Sequence, residues 1–228
     1  MSDLKLLVAR EALKHVRDGI ILGLGSGSTA EIFARLLADR VAEENLDIIV
    51  IPTSLETERI ALELGLEVSS INEYPEPDLA VDGADAVDRD LNLIKGGGAC
   101  LGREKVIDYA AREFIVIVDE RKLVNSVFEK PVPVEVAPFA WRRVVKDLRR
   151  FGTARLRASG SGKYGPVVTD NGNLVLDLTV EADIEPSMLE VEINSMPGVF
   201  ENGIFAIRKP SKVLVGMQEG IKTLTLED

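Results

Sequence analysis

The chain has 228 residues, and 27 Lys and Arg against 38 Asp and Glu give a formal net charge of −11 with the single His15 neutral. With 46% hydrophobic and 29% charged residues, the composition is that of a globular chain and excludes a disordered one. The acidic balance argues against general nucleic-acid binding. The single Cys100 excludes an internal disulfide and a cysteine-based zinc site.

The N-terminal half of the chain alternates short apolar runs with helical patterns. Such alternation predicts a mostly parallel sheet with helices on both sides. The predicted strands are Ile20–Leu24, Asp47–Ile51, Glu67–Ser69, Asp78–Val81 and Phe114–Val118. The predicted helices are an N-terminal one with Leu6, Ala9, Leu13 and Val16 on one face, then Thr29–Glu44, Ser54–Leu64 and Leu101–Arg112, the last with Val106, Ile107, Ala110 and Ala111 inward.

A second unit follows the proline-rich stretch Lys130–Pro133, and its predicted order βαββαβ is the ferredoxin-like pattern. Its predicted strands are Val132–Ala137, Ala154–Ala158, Val167–Val168, Leu174–Leu178 and Gly198–Ile207, and its helices run from Pro138 to about Phe151 and over Pro186–Asn194. The last segment, Lys212–Leu226, is expected to return to the first sheet. We therefore expect an α/β protein in which a Rossmann-like domain, 1–130 and 208–228, carries an inserted ferredoxin-like α+β domain, 131–207.

The first candidate site is the glycine-rich loop Gly23–Thr29, which follows a predicted strand and begins a helix. Free N–H groups and the positive end of the helix dipole attract an anion there, and Ser28 and Thr29 add hydroxyl donors. The loop matches neither the dinucleotide-binding nor the Walker A spacing, so it implies neither a dinucleotide nor ATP. By itself, it is equally compatible with a tight strand-to-helix turn.

Two further loops sit at the ends of predicted strands. Val81-Asp82-Gly83-Ala84-Asp85 carries two carboxylates that could hold sugar hydroxyls or move protons, although Asx turns alone also explain them. In Ile94-Lys95-Gly96-Gly97-Gly98-Ala99, successive N–H groups beside an ammonium could stabilise negative charge on a substrate oxygen. A flexible loop is the alternative.

Three remaining charged features have plain structural explanations when taken singly. Glu104 lies in the first turn of a predicted helix, off its apolar stripe, where a carboxylate also complements the helix dipole. Lys122 follows the FIVIV strand, where it could reach a phosphate or lie in a solvated loop. A run of basic residues in the second unit is interpreted as a solvated face, with a subunit contact as the alternative: Arg142, Arg143, Lys146, Arg149, Arg150, Arg155 and Arg157.

Taken together, these motifs resemble a known family. The segments LGLGSGSTAEIF, VDGAD, LIKGGGA, REKVID and VDERKLV, in this order and spacing, closely resemble type A ribose-5-phosphate isomerase, and VPVEV and VVTDNGN are similar to that family's second domain. The resemblance spans nearly the whole chain. Ser26 replaces a frequent Thr, Ala86 a frequent Glu, and Gly102 a frequent Thr of the family.

The resemblance implies interconversion of ribose 5-phosphate and ribulose 5-phosphate in the non-oxidative pentose phosphate pathway. It implies Glu104 as the proton acceptor, Lys95 and the glycine N–H groups as stabilisers of the enediolate, and Asp82 and Asp85 as groups that handle hydroxyl protons, their division of roles left open. The implied substrate-binding residues are Lys5, Ser26, Gly27, Ser28, Thr29, Asp82, Gly83, Ala84, Asp85, Lys95, Gly96, Gly97, Gly98 and Lys122.

The expected ligand is a small sugar phosphate, with no metal, organic cofactor, nucleic acid or membrane involved. The family implies a homodimer or homotetramer. We expect a cytoplasmic location, since the first sixteen residues form an amphipathic pattern rather than a signal peptide, and no apolar run approaches the ~20 residues of a membrane span. Three alternatives remain: an amino-sugar phosphate deaminase, a non-catalytic sugar-phosphate sensor of a transcription regulator, and a CoA-transferase.

Overall fold

The structure is a computed structural model that describes residues 2–160 and 164–226. Its contacts divide the chain into two compact units. The first unit is Met1–Ala84, Arg103–Leu123 and Pro210–Asp228, and the second is Asp85–Gly102 and Val124–Lys209. The predicted ranges 1–130 and 131–207 therefore differ from this division, chiefly because 85–102 packs within the second unit. The predicted ranges also include 1, 161–163 and 227–228, which lie outside the described residues.

The helices and strands are as follows. The helices are α1 (Ser2–Leu13), α2 (Ser28–Glu44), α3 (Leu55–Glu63), α4 (Leu101–Ala110), α5 (Trp141–Leu148) and α6 (Pro186–Asn194). The strands are β1 (Ile21–Leu24), β2 (Ile49–Pro52), β3 (Glu67–Val68), β4 (Leu79–Asp82), β5 (Ala86–Val87), β6 (Leu93–Ile94), β7 (Glu113–Asp119), β8 (Val132–Val136), β9 (Gly152–Leu156), β10 (Leu174–Val180), β11 (Val199–Asn202), β12 (Ile204–Phe205), β13 (Lys212–Met217) and β14 (Gly220–Leu224).

The first unit contains a seven-stranded sheet of order β14-β13-β7-β4-β1-β2-β3. All its neighbouring strands are parallel except the β13–β14 hairpin. The apolar run Phe114–Val118 lies in β7 and is at most 2% exposed, as a strand covered on both faces should be. The predicted return of the C-terminal segment is confirmed, because β13 pairs in parallel with β7. The predicted α/β class with a large, mostly parallel sheet is thus confirmed.

The second unit contains a four-stranded antiparallel sheet of order β11-β8-β10-β9. Strands and helices follow one another along the chain as β8-α5-β9-β10-α6-β11, which is the βαββαβ order of the ferredoxin-like pattern. The even-numbered residues of β8 and β10, such as Val134 and Leu176, face one apolar core with residues of α5 and α6. Their odd-numbered neighbours therefore lie on the opposite face of the sheet.

The second unit also contains a small sheet that the sequence pattern does not predict. Strands β12, β6 and β5 form it, and each has only two residues, too few for an alternation to be recognised. The predicted strand Gly198–Ile207 is wrong as a single element, since it divides at Gly203 between two sheets. The predicted strand Val167–Val168 is also wrong, because only an isolated bridge from Val168 to Leu174 forms there.

No helix among the described residues is long and apolar enough to cross a membrane.

Candidate active site

The glycine-rich loop of the first unit joins β1 to α2. Gly27 precedes α2 with φ 87°, a conformation that glycine adopts without steric cost, and no side chain caps the helix there. The Lys5 ammonium donates a hydrogen bond to Ser28 Oγ at 2.6 Å. A lysine charge and the positive end of α2 therefore lie at the same point, which favours an anion.

Asp82 ends the neighbouring strand β4 and is fully buried. Its Oδ1 accepts hydrogen bonds from the backbone N–H groups of Ser26, at 3.0 Å, and Gly83, at 2.6 Å. This close approach requires glycine at position 25, because a Cβ there would lie 2.2 Å from Asp82 Oδ1 and 2.5 Å from Asp82 Cα. The carboxylate thus orders the loop that follows β1.

Glu104 lies in the first turn of α4 and is 5% exposed. Its Oε1 accepts a hydrogen bond from Ser26 Oγ at 2.6 Å. Ser26 therefore joins two acidic side chains, through its backbone N–H to Asp82 and through its hydroxyl to Glu104. Three motifs that are far apart in the sequence meet at this serine.

The predicted inward face of α4 is wrong for Val106, which is 51% exposed. Ile107 and Ala111 are buried as expected, but so are the polar residues Glu104, Lys105 and Asp108. The reason is that the polar side of α4 also faces protein, where Glu104 contacts the β1–α2 loop. An apolar stripe identifies only the side of a helix that packs on an apolar core.

Lys122 lies in the 3₁₀ turn Glu120–Lys122 directly after β7. Strands β1, β4 and β7 are parallel, so the segments that follow them, with Ser26 to Thr29, Gly83, Ala84 and Lys122, leave the same edge of the sheet. Asp119 orders the turn by accepting bonds from Arg121 at 2.7–3.1 Å. The Arg121 guanidinium also holds the pKa of Asp119 below its usual range.

The second glycine loop belongs to the second unit and follows β6. Lys95 is 2% exposed, its N–H donates to Gly203 O at 2.9 Å, and its ammonium lies 5.5 Å from the centre of the Phe205 ring. The Gly97 N–H donates to Asp85 Oδ2 at 2.7 Å. Asp85 therefore fixes the loop from within its own unit, a contact that the sequence pattern did not predict.

Comparisons with known proteins agree on one family. Residues 49–220 match the family model described as ribose 5-phosphate isomerase A (phosphoriboisomerase A). The chain is 50% identical over 225 residues to the ribose-5-phosphate isomerase A of Methanocaldococcus jannaschii, with 98% of each chain covered. The chain belongs to the ribose 5-phosphate isomerase A family.

Solved structures of the family have the same fold. The Methanocaldococcus jannaschii isomerase superposes with a TM-score of 0.94 at 49% identity, covering 98% of this chain and 99% of the other. The Plasmodium falciparum isomerase superposes with a TM-score of 0.91 at 30% identity, with 99% of each chain covered. A third isomerase, solved in complex with phospho-erythronic acid, superposes with a TM-score of 0.94 at 44% identity, with 98% of each chain covered.

Family membership accounts for the motifs but leaves the contacts of Arg157 unpredicted. Arg157 was assigned to a solvated basic face, and this is wrong: its side chain is 17% exposed and bonded to Asp177 and to the Gly96–Gly97 carbonyls. A signal was present in the sequence, because the alternation in ARLRA and LVLDL places both residues on the polar faces of their strands. Only the tertiary structure shows that those faces meet the glycine loop.

Proposed function

We propose that this protein interconverts ribose 5-phosphate and ribulose 5-phosphate through an enediolate, without a metal or an organic cofactor. The observation that carries the proposal is the bridging position of Ser26, between the buried Asp82 and the buried Glu104. Through Ser26, the candidate base Glu104 lies beside the N-terminus of α2, which attracts anions. Family membership adds the substrate, since the relatives are named for this isomerase activity.

The phosphate group is proposed to bind at the start of α2. The Lys5 ammonium, the Ser28 hydroxyl and the N–H groups of the first helical turn supply donors and positive charge there. Gly27 and Thr29 belong to the same loop and turn, and Lys122 leaves the same sheet edge after β7. This arrangement anchors the end of the sugar that does not react.

Glu104 is proposed to remove the C2 proton of the open-chain aldose and to return it to C1. As the C2–H bond breaks, its electron pair forms a C1–C2 double bond, and the carbonyl electrons move to O1. After the hydroxyl proton of O2 has passed to O1, collapse of the enediolate from O2 draws the proton back from Glu104 to C1, which gives the ketose. Ser26, which donates to Oε1, holds the carboxylate in a single orientation for both transfers.

Lys95 and the Gly96–Gly98 loop are proposed to stabilise the negative oxygen of the enediolate. Within the described part of the chain, the exposed Gly98 has no protein acceptor for its N–H, whereas the Gly97 N–H is bonded to Asp85. Asp82 and Asp85 are proposed to exchange the hydroxyl protons of O1 and O2. The phospho-erythronic acid bound by a relative supports this scheme, because a planar carboxylate on a phosphorylated four-carbon chain mimics an enediolate.

The direct test is the formation of ketose from ribose 5-phosphate by the purified protein, with free ribose as the comparison. We expect turnover that excess chelator leaves unchanged, and for free ribose both a lower kcat and a higher KM, because binding energy from the phosphate also orients the reacting end. Similar kcat/KM values for the two sugars, or a loss on chelation that a divalent ion restores, would contradict the proposal.

We also propose that the enzyme is a homodimer or homotetramer in the cytoplasm, where its charged substrate is retained. Apolar side chains of the second unit support self-association, because Met188, Val191 and Phe200 are each more than half exposed. Light scattering at micromolar concentration is expected to give at least twice the mass of one chain. The mass of a single chain under those conditions would show that the assignment of an oligomer is incorrect.

A further inference from the structure

The side chain of Arg157 binds the backbone of the second glycine loop. Its Nη1 donates to the carbonyl oxygens of Gly96, at 2.9 Å, and Gly97, at 3.1 Å. These are successive carbonyls of a segment whose glycines offer no side chain for packing. A single planar guanidinium therefore restrains two consecutive peptide groups.

The two carbonyl contacts set the direction of the next two N–H groups. In a trans peptide the C=O of one residue and the N–H of the following residue point in opposite directions. The peptide from Gly96 to Gly97 is held at both ends, by Arg157 at its oxygen and by Asp85 at its N–H. In the next peptide, Arg157 holds Gly97 O, so the Gly98 N–H points away from the guanidinium.

The loop needs such restraint because its backbone takes costly conformations. Gly96 has φ 98°, and Ala99, which carries a Cβ, has φ 65°. A residue other than glycine in the left-handed region is strained and persists only where contacts enforce it. The Ala99 N–H closes the turn onto Gly96 O at 3.0 Å, the same oxygen that Arg157 binds.

Asp177 holds Arg157 in place. The Nε of Arg157 lies 2.9 Å from Asp177 Oδ2, and Nη2 donates to Asp177 Oδ1, so the pair is bidentate. Asp177 lies in β10, and the Arg157 N–H bonds to Val175 O of the same strand. The sheet itself therefore determines where the guanidinium stands.

We propose that Arg157, oriented by Asp177, is a positioning residue that aims and polarises the Gly98 N–H toward the negative oxygen of the enediolate, while the Gly97 N–H stays bonded to Asp85. The inference rests on the proposed function for the identity of that oxygen. It does not require Arg157 to touch the substrate. A cation bound to a peptide oxygen withdraws electron density from that peptide and makes its N–H a stronger donor, which adds to the geometric effect.

The activity test compares R157A, R157K and D177N with R155A. Arg155 is an exposed arginine of β9, two residues before Arg157, and it lies opposite Asp177 in the β9–β10 register. Its replacement changes net charge as R157A does, while the bonds from Arg157 to the loop carbonyls are retained. For R157A we expect kcat to fall by roughly 100-fold, the scale for a misaligned reacting group and the lower end of that for a lost oxyanion donor, with KM changed far less. R157K and D177N should lie between R157A and wild type, and R155A should match wild type.

Hydrogen exchange provides a readout that does not depend on turnover. Amides of the peptide 95–101 should exchange on the order of tenfold faster in R157A than in R155A, since two backbone restraints are lost. Should R157A fail to fold, R157K and D177N provide both measurements. A folded R157A with kcat within threefold of wild type, or with slowed turnover and unchanged exchange of this peptide, would overturn the inference. If the wild type itself does not isomerise ribose 5-phosphate, the proposed function fails, and the exchange comparison alone decides whether Arg157 orders the loop.

Discussion

Replacing Glu104 with Gln is expected to lower kcat for ribose 5-phosphate by about 10²–10⁴-fold, the usual loss when a general base is removed. The amide can still accept the hydrogen bond from Ser26 Oγ, but it cannot take up a proton from C2. KM should change much less, because Lys5, Ser28 and the start of α2 are untouched. Steady-state kinetics on the purified variant measure both quantities.

A matched control is available in Glu190→Gln. Glu190 is also a buried glutamate, 1% exposed, and its carboxylate accepts backbone hydrogen bonds from Ala206 and Ile207 at 2.8–2.9 Å. Its replacement should alter the free energy of unfolding and leave kcat near that of wild type. The pair of variants separates the loss of a buried carboxylate from the loss of the base.

Isotope exchange gives a second readout for Glu104. In deuterated water, the wild type should introduce label at C1 of the ketose and C2 of the aldose, and Glu104→Gln should do so far more slowly. If Glu104 merely complements the dipole of α4, the variant loses a little stability and keeps nearly normal turnover. A well-folded variant with kcat within a few-fold of wild type would remove Glu104 from its role and make Asp82 or Asp85 the next candidate.

Replacing Gly25 with Ala should damage stability and activity together. The added Cβ would lie 2.2–2.5 Å from three atoms of Asp82, including its Cα, so backbone as well as side chain must move. Overpacking of this kind is expected to lower the free energy of unfolding by about 3 kcal/mol, the upper end of the usual effect. The displaced Asp82 and Ser26 would also misplace Glu104, and a displacement of this order can lower kcat by about 10²-fold.

Gly83→Ala is the matched control for stability. The nearest atoms to a Cβ at Gly83 are 3.9–4.0 Å away, an ordinary contact distance, so its free energy of unfolding should stay within about 0.5 kcal/mol of wild type. Urea unfolding of both variants provides the comparison. Equal stabilities for Gly25→Ala and Gly83→Ala would show that the β1 loop can shift away from Asp82 without cost.

Much of the fold could be predicted because its elements have distinct local patterns. The continuous apolar run Phe114–Val118 is typical of a strand covered on both faces, and it is the centre of β7. The helix predicted over Pro186–Asn194 matches α6 to the residue, and Pro186 stands at its start, where proline is favoured. By contrast, β5, β6 and β12 have two residues each and exist only because they pair with one another.

The candidate site was likewise predictable only in part. The glycine loops and the residues Asp82, Asp85, Lys95 and Glu104 were identified from motifs and family resemblance, and their catalytic roles stay predictions. Their contacts were not predictable. Neither the Ser26 bridge nor the Asp85 bond to the Gly97 N–H has a periodic signal, because each joins segments that only the folded chain brings together.

By itself, the sequence determined the α/β class, the ferredoxin-like strand order, the family and the loops that carry its motifs. The class and the strand order follow from residue spacing, since periodicity states which side of an element is apolar. The family and its loops follow from the resemblance of the motifs. The tertiary structure alone decided that the polar side of α4 is buried, that Gly203 divides a strand between two sheets, and that Arg157 holds a loop rather than facing solvent. The physical reason is that a buried polar group is stable only with a hydrogen-bonding partner, and that partner lies elsewhere in the chain.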